Sequence, residues 1–254
     1  MGYPVHMENK KGCSIPKAHI RFIIGIIFTI LVVISEIATI ILWNQNNEYL
    51  KKSTLLLMMI STELMISIVL TITVLIGLYQ INALGQRILK MNLDTGLLAL
   101  GQIGILIYAG FTMIGSYFQI FEQNIDKYEL VKQILIFCTA LFNFAQSVLQ
   151  TILIMVGNCK KPSSTENQNM QMSGLSVLIF LAISNFTIWI ILICNIAGYP
   201  GNIQMDNFCG NLAWTVIQTS VLPLVMFYRF QSSVCFIEIW KRAYCTSKNI
   251  LNYY

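Results

Sequence analysis

Six long apolar runs separated by short polar stretches make up most of the chain. They extend approximately from Phe22 to Trp43, Thr54 to Leu78, Leu97 to Phe118, Val131 to Val156, Leu175 to Ile196 and Leu212 to Trp240. Each is long enough to cross about 30 Å of hydrocarbon, which takes roughly 20 helical residues. The runs are continuous, whereas the strands of a membrane barrel would alternate apolar and polar positions. The pattern predicts an all-α, polytopic membrane protein with six transmembrane helices. The first run contains Glu36 and is followed by no small-residue cleavage site, so it reads as a retained helix and not as a signal peptide.

The polar stretches set the topology. Eleven lysines and arginines fall in the amino terminus, the second and fourth loops and the carboxyl terminus. Four fall in the other three loops, counting Lys132 at a helix edge with its loop, and Arg229 lies inside the last run. Basic residues are retained on the cytoplasmic side, so both termini are expected there. The expected organisation is a cytoplasmic segment 1–21, a six-helix unit 22–244 and a cytoplasmic tail 245–254.

Composition narrows the class of function. The chain is 56% hydrophobic and only 11% charged, against about 25% charged in a typical soluble domain. The net charge of +5 is spread between the apolar runs, without the aromatic-flanked basic patch that nucleic-acid binding uses. Both histidines, His6 and His19, precede the first run, which excludes a histidine metal site within the membrane. No paired-aspartate motif, Gly-x-Ser-x-Gly or phosphate-cradling loop appears, so neither an enzyme nor a cofactor is expected. Of seven cysteines only Cys209 is placed outside, which leaves it without an intrachain partner there. The sequon at Asn185 lies within a helix, out of reach of glycosylation.

Chemistry is therefore sought among polar residues inside the runs, which are costly in lipid and normally face a bundle interior or a water-filled route. Glu36 and Glu63 fall at similar depths on adjacent helices and form a possible carboxylate pair. Ser67 and Thr71 follow Glu63 at four-residue steps and share its face. The fourth run places Asn143, Gln146 and Gln150 on one stripe, and the third places Gly104, Tyr108, Thr112 and Gly115 on another. Glu63, Tyr108, Asn143 and Asn185, on four helices, all fall near the midplane. Such groups either hold water and pass protons or fasten helices together. Pro223 is expected to kink the last helix. Arg229, in its cytoplasmic third, is expected to snorkel or to pair with a carbonyl, and Trp240, Lys241 and Arg242 mark the inner interface.

The segments LDTGLLALGQIGILIYAGFTMIGSYFQ (Leu93 to Gln119), NFAQSVLQTILI (Asn143 to Ile154), SNFTIW (Ser184 to Trp189) and AWTVIQTSVLPLVMFYRFQSSVCFIEIWKRAY (Ala213 to Tyr244) resemble the otopetrins, a family of proton-selective channels opened by acid. The matches run in order from about Thr54 to Tyr244, and the last segment, through Arg229 to Glu238, is the most specific. Otopetrins have twelve helices in two related halves, and this chain resembles the second half. Gln231 stands where the family usually has a histidine.

The resemblance implies an acid-activated, proton-selective channel passing protons down their gradient, in a membrane expected to be the plasma membrane. It implies as partners the lipid bilayer, protons, and either a second copy or an amino-terminal half. Glu63, Tyr108, Asn143, Gln146, Gln150 and Asn185 are the candidates for a proton path or polar core, with Pro223, Arg229, Gln231 and Glu238 structural. A non-conducting interaction or regulatory subunit that keeps the half-fold is the alternative. A secondary transporter half fits less well, because no pair of interrupted helices supplies a substrate site.

Overall fold

The computed structural model describes residues 16–45, 49–82, 93–122, 125–159, 168–198 and 211–251. Its helices are α1 (Pro16–Gln45), α2 (Tyr49–Asn82), α3 (Leu93–Ile120), α4 (Lys127–Cys159), α5 (Gln168–Gly198) and α6 (Asn211–Leu251). Every predicted run lies inside one of them. Five helices are long and apolar enough to cross a membrane, and Ile26–Thr39 of α1 forms a shorter apolar stretch. Most of the segment 1–21, the tip of the tail, Cys13 and Cys209 lie outside the described residues.

The helices pack as a ring in the order α1, α2, α4, α3, α6, α5, and α5 returns to α1. Contacts between α2 and α5 and between α4 and α6 cross the ring and fill it. Helix α1 touches only α5 and, weakly, α2, and it displays Ile23, Ile27, Ile30, Leu31 and Ile34 on its outer surface. An apolar core of Leu70, Val74, Leu98, Ile105, Leu153, Ile154, Leu181 and Phe236 is contributed by the other five helices.

The α3–α6 crossing is unusually close, and glycine is the cause. A Cβ built on Gly104 would lie 2.4 Å from Leu224 Cβ, and one on Gly101 would lie 3.0 Å from the Cα of Tyr228. Small residues let backbones approach where lipid offers no hydrophobic drive for association. The stripe on α3 is thus a helix seat, with Thr112 and Ser116 bonding back to carbonyls of their own helix. Pro223 lies on the exposed side of α6, within a helix that continues on both sides of it.

Candidate functional site

The polar stripe of α4 faces the centre of the ring. Gln146 and Gln150 are fully buried, and Asn143 is half-buried. Their spacing of three and four residues keeps all three on one side of the helix. Opposite them on α5 stands Asn185, also fully buried. The backbones of α4 and α5 do not pack against each other, so their amides meet across the bundle axis.

The bonds form a continuous cluster. Gln146 Nε2 donates to Gln150 Oε1 at 2.6 Å. Gln150 Nε2 donates to Asn185 Oδ1 at 3.0 Å, and Asn185 Nδ2 returns a bond to Gln150 Oε1 at 3.1 Å. Asn185 Nδ2 also reaches the carbonyl of Leu181 at 2.8 Å. At the edge of the cluster the Ser67 hydroxyl donates to Asn143 Oδ1 at 2.9 Å, which ties α2 into the network.

Arg229 completes the cluster from α6. Its Nη1 donates to Gln146 Oε1 at 2.9 Å and to Asn185 Oδ1 at 3.2 Å, and its Nη2 donates to Asn143 Oδ1 at 3.4 Å. The side chain is 5% exposed, so the expected snorkelling towards the cytoplasm does not occur. Helical side chains lean towards their own amino terminus, so the long stem carries the guanidinium along α6 to the amides. Three helices are joined by this one side chain.

Tyr228, next to Arg229, is the residue that sequence reasoning missed. It is fully buried, and its hydroxyl donates to the Ser147 carbonyl at 2.8 Å and lies 3.1 Å from Thr151 Oγ1. The absence of a Cβ at Gly101 gives its backbone room against α3. The available signal was its place in Phe-Tyr-Arg-Phe, one helical step from the arginine.

The other two members expected at the midplane are Tyr108 and Glu63. Tyr108 packs against the apolar core on α3. Glu63 is exposed, although Met59 and Ser67, one turn to either side, are buried. A gap in the buried face of α2 therefore opens at Glu63. Glu36 on α1 is buried, with its Oε2 unpartnered. Gln231 is buried, with its Nε2 3.9 Å from Cys235 Sγ, while Glu238 is exposed. Lower down, Arg242 Nη2 bonds Asn158 Oδ1 at 2.6 Å and fastens α6 to α4.

A polytopic helical bundle with a buried amide–guanidinium cluster on its axis, and a carboxyl at a gap beside it, is the class of protein that these features define. The family model for otopetrins matches residues 8–230, and the chain belongs to the otopetrin family. It is 30% identical over 229 residues to a protein of Drosophila melanogaster named Proton channel OtopLc. That match covers 90% of this chain and 14% of the fly protein, so the chain spans about one seventh of its relative's length.

Proposed function

We propose that this chain is a six-helix half, corresponding to the second half, of an acid-activated, proton-selective otopetrin channel in the plasma membrane. The carrying observation is the succession from Glu63, at its gap, through Ser67 and Asn143 into the buried amides Gln146, Gln150 and Asn185. Glu63 supplies the proton-binding group. The amides and the Ser67 hydroxyl are a frame on which water can be ordered, because amides themselves bind protons poorly near neutral pH. The family membership and the proton-channel relative support this reading. The whole channel would then need a second six-helix unit.

One observation favours the alternative of a non-conducting subunit. The axis is filled by direct side-chain bonds around a fixed positive charge, and that arrangement repels cations unless the cluster rearranges. Whole-cell recording across external pH 5 to 7.4, as wild type and as Glu63→Gln, separates the two. A conducting role predicts acid-evoked current that falls in the variant at unchanged surface expression. No current in the wild type, even with a complementary amino-terminal half, would leave the subunit reading standing.

A further inference from the structure

Arg229 brings a permanent positive charge into the middle of the bundle, and it makes no ion pair with any described residue. Its partners Asn143, Gln146 and Asn185 are neutral amide oxygens, which accept its hydrogen bonds without balancing its charge. Those bonds are unevenly spread over the guanidinium. Nη1 has two, Nη2 has one at 3.4 Å, and Nε has none. The edge made by Nε and Nη2 is one that grips an anion through two parallel N–H bonds. Here it holds a single long bond.

Arg229 Nε is buried and has no hydrogen-bond partner. Water could accept from this edge but would leave the charge unbalanced, and burying an unbalanced charge is far costlier than burying a neutral polar group. Asn143, which accepts from Nη2, is only half-buried.

We propose that the Nε–Nη2 edge of Arg229 binds a small monovalent anion such as chloride inside the bundle. The anion balances the guanidinium and stabilises the α4–α5–α6 cluster. The proposal stands whether or not the chain conducts protons.

The test uses the purified full chain in detergent, with tryptophan fluorescence reporting thermal unfolding. Chloride replaces gluconate at constant ionic strength, and equilibrium binding of radiolabelled chloride is measured in parallel. The expected result is a saturable rise of several degrees in Tm and about one bound chloride per chain, displaced by bromide. Arg229→Lys keeps the charge but removes the two-donor edge, and should weaken the chloride dependence at least tenfold. A wild-type Tm indifferent to chloride, or an equal chloride response in Arg229→Lys, would overturn the proposal. Should that variant fail to fold, the wild-type binding isotherm decides, and the absence of saturable chloride binding rejects the site.

Discussion

The guanidinium of Arg229 and the side-chain oxygen of Gln146 lie 2.9 Å apart at the centre of the bundle, although 83 residues separate them in the chain. The contact helps join the last helix to the fourth, together with the bonds of Tyr228 and Arg242. Around it the other amides are so arranged that each accepts from a neighbour, which makes the members unequal in what their loss would cost.

Asn185 is the most heavily bonded, engaging Gln150 twice, Arg229 once and the Leu181 carbonyl once. Asn185→Ala strands Arg229 and Gln150 together and should destabilise by about 1–3 kcal/mol, the usual cost of buried groups left unpaired. Asn143→Ala touches a half-buried residue and should cost less. Thermal unfolding of both variants in the same detergent checks the order, and a larger loss for Asn143→Ala would contradict it.

At the α3–α6 crossing, Gly104→Ala places a methyl 2.4 Å from Leu224 Cβ. Overpacking of this kind costs about 1–3 kcal/mol. Truncating the neighbour leaves its Cβ in place, so Leu224→Ala should rescue little, whereas Leu224→Gly should restore most of the loss. A double-mutant cycle of melting temperatures measures the coupling.

Tyr228→Phe removes only the hydroxyl that bonds Ser147 and Thr151. A net loss of about 1 kcal/mol is expected, with the ring still seated against α3. Unchanged stability would mean that the bond contributes nothing net in this setting.

Glu36 is 3% exposed with Oε2 unpartnered. Replacing a poorly satisfied buried ionisable group by a residue of similar volume is often neutral or stabilising, so Glu36→Met should keep or raise Tm. If the carboxylate acts with Glu63 in proton transfer, the same variant should lower acid-evoked current. Stability and current moving in opposite directions is the outcome to look for.

The orientation expected from the eleven-to-four distribution of basic residues is tested by epitope accessibility in intact cells. A carboxyl-terminal tag should be labelled only after permeabilisation.

The helices were legible because a span must be apolar over its whole length and must satisfy its own backbone. The stripe on α4 was legible for a related reason: Asn143, Gln146 and Gln150 are too costly to face lipid, so their spacing marks the inner side. The azimuth of α6 was not legible. Its lipid-facing residues, such as Val216, Phe230 and Ile237, are as apolar as its buried Val221, Val225 and Phe236, so periodicity does not separate inside from outside. Arg229 alone could have indicated the inner side, and its depth in the chain pointed it towards the cytoplasm. Glu63 follows the same logic only in part, since Met59 and Ser67 on its stripe are buried while its own level is exposed.

The glycine seat on α3 limits how the bundle can deform. To slide by one turn along α3, α6 would have to travel about 5.4 Å, carrying Leu224 and Tyr228 off the two glycines that now admit them and towards positions of α3 that bear side chains. The seat therefore opposes a screw-like slide of α6. The compliant member is α1, a stave attached along one side to α5 and only lightly to α2, so widening of the gap at Glu63 would proceed by α1 tilting outward like a hinged slat while the α3–α6 pair keeps its register.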